Sequence, residues 1–196
     1  MSSSPLLLPS PSVPQPSARS QPATAAPAPQ IETRAFAACC VLLFVLRIIY
    51  AHSLRVDSDE PQHLHVVWGW ANGLLQYRDL FDNHTPLFQM LLAPVFRMFG
   101  ERPDILVPMR LAMVPFFAGS VWCLFKIGEA LFSVRIARWI TITGALMPGF
   151  FLTSTEFRTD DLWMLFWFAT LAIGVVRPPT PARAWGAGFT CGLAFA

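Results

Sequence analysis

The sequence predicts an all-α fold: a polytopic bundle of transmembrane helices with one long outer loop that carries interfacial helices of its own. Three observations carry that reading. Only 13% of residues are charged and 54% are hydrophobic, whereas a soluble domain carries about 25% charged residues. The apolar residues fall in long blocks, as in segments solvated by lipid. Polar segments separate those blocks, and ten of the twelve acidic residues fall in two of them, 55–105 and 156–161.

Residues 1–34 are rich in Pro, Ser, Ala and Gln, a composition too poor in large apolar groups to offset ordering entropy, and read as a disordered cytoplasmic tail. Leu6–Leu8 is too short for a secretory h-region and no basic n-region precedes it. The remaining residues, 35–196, form the membrane domain. Residues 35–54 make the first span, because twenty residues of helix cover about 30 Å, the thickness of the hydrocarbon core. Arg47 lies near the outer end of that span, within reach of the interface by snorkelling.

Residues 55–105 are too polar to cross and form the outer loop. Two helices are expected inside it. Pro61 suits a first helical turn capped by Asp57 or Ser58, and the Ala71–Gly73 stretch ends that helix. Thr85 and Pro86 open the second helix, and Gly100 closes it. Both are rich in Trp, Phe, Leu and Met and are expected to lie at the interface. Further spans follow at 106–125, 136–152, 162–176 and 184–196. The last run ends without a cap or polar end, so the chain is expected to be the amino-terminal part of a longer membrane protein.

Charge sets the orientation. Lys126, Arg135, Arg138, Arg177, Arg183, Arg19 and Arg34 all fall on one side of this topology, and the positive-inside rule makes that side cytoplasmic. Of the twelve acidic residues, all but Glu32 and Glu129 then lie on the outer side. The basic residues are scattered, which excludes nucleic acid as a partner. Cys39, Cys40, Cys123 and Cys191 sit within apolar runs and read as small buried hydrophobes, not as disulfides or metal ligands.

Chemistry concentrates in the outer segments. Asp57, Asp59 and Glu60 follow the first span directly, and Glu156, Arg158, Asp160 and Asp161 occupy the short loop before the fourth. The bland alternatives are a solvated loop start that caps a helix, and acids that complement a helix dipole. Neither explains why both outer loops carry the same groups. Arg158 is a partner for Asp160. A third segment, Tyr77–Phe88, holds Arg78, Asp79, Asp82 and His84 and reads as a polar turn before a helix. His63 and His65 are weak metal candidates with Asp59 and Glu60, since on a helix residues 59 and 63 share a face but 63 and 65 do not.

These segments together resemble the GT-C superfamily of integral-membrane glycosyltransferases. The likeness is to family 39 in particular, the group of dolichyl-phosphate-mannose–protein mannosyltransferases and aminoarabinose transferases. The resemblance rests on "DSDE" at 57–60, on "GLLQYRDLFDNHTPLF" at 73–88, on "FG" at 99–100 followed by Arg110, and on "EFRTDDL" at 156–162. It covers about residues 35–180 and departs at Thr159 and at His84–Thr85.

The resemblance implies transfer of one sugar from a polyprenyl-phosphate donor to a glycan, protein or lipid acceptor on the outer face of a bacterial plasma membrane. It assigns Asp59 as catalytic base and Glu60 as an orienting group. Asp160 would be a second acidic site residue. Arg110 and Arg158 would bind phosphate or pair with the acids, and Arg78 and Asp79 would shape the pocket. It implies no fixed cofactor and leaves a divalent cation open. The chemistry fits: an attacking hydroxyl needs a carboxylate base, a lipid phosphate needs guanidinium donors, and attack opposite the phosphate would invert the anomeric carbon. Two other classes compete. A transporter or flippase would place its acids mid-span, and a truncated, non-catalytic membrane protein would lack a complete site.

Overall fold

A computed structural model describes residues 30–196, and those residues are helical, with no strand among them beyond an isolated bridge between Gln76 and Leu80. The expected tail lies outside the described residues up to position 29. Its last five residues do not belong to it: α1 (Gln30–Ser53) begins at Gln30 and runs through them. Glu32 pairs with Arg135 at 3.0 Å, and Thr33 accepts a hydrogen bond from Arg138 at 3.1 Å. These contacts hold the first turn of α1 against a helix more than a hundred residues away in sequence.

The outer segment folds as its punctuation dictates. α2 (Asp59–Ala71) starts where Asp57 and Glu60 satisfy each other's neighbourhood: the Asp57 carboxylate accepts from the Asp59 N–H, and the Glu60 carboxylate accepts from the Asp57 N–H. Ser58 makes no capping bond. α3 (Leu87–Phe99) starts after Pro86 and stops at Gly100, whose φ of 69° lies in the region glycine tolerates best. α2 and α3 pack together. Val67, Phe88, Leu92 and Phe96 join Met109, Met113, Phe157 and Leu162 in one core beneath the outer loops.

α4 (Leu106–Leu111) and α5 (Val114–Leu131) follow almost without interruption. Two stretches, Gln30–Ser53 and Leu106–Leu131, are long and apolar enough to cross a membrane. The second runs six residues beyond the expected 106–125. The expected span at 136–152 is broken: α6 (Val134–Leu146) ends and α7 (Pro148–Thr153) begins at Met147, which is extended at ψ 120° because the proline after it disfavours the helical conformation. α8 (Asp160–Val175) and α9 (Pro181–Leu193) complete the described chain, as helices of 16 and 13 residues.

α5 is the hub and packs on α6 and α8, while α9 packs on α8. Gly128 lets α5 approach α6 so closely that a Cβ there would stand 3.0 Å from the Ala137 Cα, the kind of small-residue contact that lets helices pack without a hydrophobic drive between them. A second core of Leu43, Phe117, Ala145 and Phe151 lies inside this bundle. Val41, Leu42, Phe44, Ile49, Trp122, Trp139 and Trp185 remain exposed, and the first five lie on the two stretches long and apolar enough to cross a membrane.

Arg47 does not snorkel. It is 1% exposed, donates to the Ser154 hydroxyl at 2.7 Å, lies over the Phe117 ring and faces Asp161 at 3.7 Å. An arginine inside an apolar bundle is retained by a partner acid, and Asp161, also buried, is that acid.

Candidate active site at the outer loops

Glu60 and Arg110 form the foundation. Both are buried, and the guanidinium grips the carboxylate with two bonds, Nε to Oε1 at 2.7 Å and Nη2 to Oε2 at 2.5 Å. Arg110 also donates to the carbonyls of Ala51, Leu54 and Arg55. Those carbonyls belong to the end of α1 and the residues after it, where a helix leaves its acceptors unpaired. Glu60 in turn accepts the Phe157 N–H at 2.8 Å. One ion pair therefore ties the end of α1, the start of α2, α4 and the second outer loop to one another. All the N–H groups of Arg110 face acceptors already. It is a pairing residue, with no donor for a phosphate, and Glu60 has no accessible edge to offer an acceptor.

Above this foundation sits an open cluster. The Arg158 guanidinium lies 2.9 Å from Asp59, 2.9 Å from Asp160, 3.5 Å from Glu156 and 3.6 Å from Asp57. The segment at 57–59 and the segment at 156–160, about a hundred residues apart, thus meet at one cation. Arg158 and Asp160 pair as the sequence predicts. Asp59 keeps 42% of its side chain exposed, so its carboxylate is free to reach a ligand. Burial works against the Arg158 charge, but Asp160 and the other acids outweigh it and raise its pKa. Glu156 is pushed up, by burial first and then by the neighbouring Asp57 charge, with Arg158 only partly offsetting both. If the four acids are ionised, one guanidinium leaves the cluster with a surplus of negative charge.

A cavity of about 310 Å³ opens beside this cluster, lined by Arg158, Asp160 and Trp163 on one side and by Asn83, His84 and Phe88 on the other. Trp163 donates its indole N–H to Asp160 at 3.3 Å. Arg158 and Asp160 thus present charge to a concave, half-apolar space, as ligand sites do.

Arg78 and Asp79 stand apart from it. They pair with each other at 2.7 Å on the exposed surface, and Asp79 accepts the Leu75 N–H. Their part is to hold the turn in which Tyr77 takes a left-handed φ of 69°, a strained conformation for a residue with a Cβ. Tyr77 uses that geometry to donate its hydroxyl to the His84 carbonyl.

The histidines sort differently from the expected pair. His65 is exposed and stacks on Trp68, away from every acid named. His63 is buried and faces His84, ring centroids 4.6 Å apart. Asp82 lies beneath both, with its carboxylate accepting from Gln62, Gln76, Gln89 and His84 Nδ1. Burial alone would raise the Asp82 pKa, but the His84 and Gln62 bonds outweigh it and hold the group below the usual carboxylate range. Burial, followed by the nearby His84, lowers His63. Asp82 was visible in the sequence only as part of a polar turn. The three glutamines that cradle it come from two helices and the loop, a convergence no local pattern announces.

No protein-family model, no curated protein and no solved structure matches this chain.

Proposed function

We propose that the chain belongs to a membrane glycosyltransferase that moves a sugar from a polyprenyl-phosphate carrier to an acceptor outside the cytoplasm. The observation that supports this reading most is the convergence of Asp59 and Asp160 on Arg158, of which Arg158 and Asp160 line the 310 Å³ cavity. In this reading the two segments lie on the same membrane face, and the fold brings them into contact. In this reading α6 with α7, α8 and α9 are further crossings beside α1 and α4–α5. The amino terminus is cytoplasmic and the acidic rim faces outward.

Each group has a task in that chemistry. Asp59 takes the acceptor hydroxyl's proton as the oxygen attacks the anomeric carbon, a step that needs a carboxylate within hydrogen-bond reach. Arg158 turns from its acids towards the donor phosphate as negative charge grows on the departing oxygen, where a fixed cation is most effective. Asp160 orients the acceptor or a cation. The carrier's tail stays in lipid, which is why the site belongs at the end of a membrane helix. A transporter would need acids at mid-span, whereas Asp160 and Asp161 lie in the first turn of α8.

The test is genetic and chemical together. Cells lacking the gene should lose one sugar from an envelope glycan, protein or lipid and accumulate a polyprenyl-phosphate sugar, both read by mass spectrometry. Wild-type protein should restore the sugar, and Asp59→Asn, present in the membrane at the same level, should not. Restoration by Asp59→Asn would end the assignment of the base, and an unchanged polyprenyl-phosphate sugar pool would end the proposed function.

A further inference from the structure

We infer that His63, Asp82 and His84 form a binding site for one divalent transition-metal ion of the zinc type, at the wall of the outer cavity. One ligand atom from each of the three residues lies within 4.8 Å of the others. A tetrahedral zinc ion with bonds of about 2.0–2.1 Å holds its ligand atoms about 3.3 Å apart. His84 Nδ1 and Asp82 Oδ1 are already 2.9 Å apart, so only His63 needs to close, by no more than about 1.5 Å.

Two independent features point to an ion and not to packing alone. His63 is 1% exposed, and its Nδ1 has no hydrogen-bond partner. A buried ring nitrogen left unpaired costs about 1–3 kcal/mol, and a metal bond to that nitrogen would remove the cost. Asp82, in turn, is held by the amides of Gln62 at 3.0 Å, Gln76 at 3.3 Å and Gln89 at 3.1 Å. Outer partners of this kind fix a ligating carboxylate in place. Two imidazoles and one carboxylate favour zinc, cobalt or nickel over magnesium or calcium, which prefer oxygen alone.

The ion would take the place of the proton between His84 Nδ1 and Asp82, and the neutral imidazole of a metal-bound His84 would carry its one proton on Nε2. The ion would clip the loop at 82–84 to α2. His84 also lines the cavity that Arg158 and Asp160 line. The site is defined by its own ligands and does not depend on the sugar-transfer reading.

The experiment uses the whole chain in detergent, purified through a tag without histidine, stripped with chelator and titrated with cobalt chloride. Wild-type protein should develop the visible absorption of tetrahedral cobalt at one equivalent, and zinc chloride should bleach it. His84→Ala, on the more exposed ligand, should lower the affinity at least tenfold. Asp82→Asn, which keeps the shape, should do the same. His65→Ala should titrate as wild type. Absence of the band in folded wild-type protein would overturn the site, as would a band that survives both His84→Ala and Asp82→Asn or one that disappears in His65→Ala.

Discussion

Asp59 and Glu60 are neighbours in sequence and opposites in environment. Glu60 is fully buried, with both oxygens taken by Arg110 and by backbone donors of two other segments. Asp59 shares Arg158 with three other acids and keeps 42% of its side chain open. Each carboxylate faces an arginine, yet only one is free to exchange partners. A charged pair whose every bond is used locks a fold, whereas a crowded, half-solvated one can take a ligand without unfolding it. The acid–arginine motif thus divides into a lock and a site within one turn of α2.

The largest effect should come from breaking the lock. Arg110→Ala strands a buried carboxylate and the acceptors at the end of α1. The loss of one partner of a buried pair costs about 3–5 kcal/mol, enough to empty the membrane of folded protein, as immunoblotting of membranes will show. Glu60→Gln keeps the shape but leaves Arg110 uncompensated and should fall in the same range.

Next in size is Asp59→Asn. Thermal stability in detergent should change by less than about 1 kcal/mol, as for an exposed ion pair, while the sugar transfer proposed for this protein disappears. Arg158→Gln should follow, with a stability loss of about 1 kcal/mol, because four acids lose their shared cation. Transfer should fall with it, and Arg158→Lys should restore stability better than it restores transfer, since lysine supplies charge without the guanidinium fork.

Glu156→Gln gives a smaller change of the opposite sign. The Glu156 pKa is raised in the folded protein above its ordinary 4.5. The folded state therefore binds the proton more readily than the unfolded chain does, and this group's penalty is present at neutral pH and relieved as pH falls through the folded pKa towards 4.5. The variant should be slightly more stable than wild type at pH 7, and the gap should close as the solution is acidified, as melting curves across that range will record. Arg78→Ala, on the exposed surface, should leave transfer within twofold of wild type.

The same contrast explains what the sequence makes legible. The helices of the outer segment follow from local signals, Pro61 in a first turn, the glycine at 100 and the proline at 86, and they lie at Asp59–Ala71 and Leu87–Phe99. The meeting of the two acidic segments at Arg158 is expected only from the proposed topology. The break at Met147 is equally local, because Pro148 announces it. Long-range choices are not local. Nothing near Arg110 says that it binds Glu60, fifty residues earlier, or that Asp161 turns inward to Arg47 while Asp160 turns outward to Arg158. His63 finds His84 and not His65 because a helix separates residues two apart onto different faces, while the loop at 82–84 folds back over α2.

The most direct test places Asp59→Asn and Glu60→Gln side by side in the same membranes, with sugar transfer and thermal stability measured for each. Asp59→Asn should keep the wild-type melting temperature and lose transfer, and Glu60→Gln should lose the folded protein itself. Full transfer by Asp59→Asn, or wild-type stability in Glu60→Gln, would contradict the division of the two neighbouring acids into site and lock.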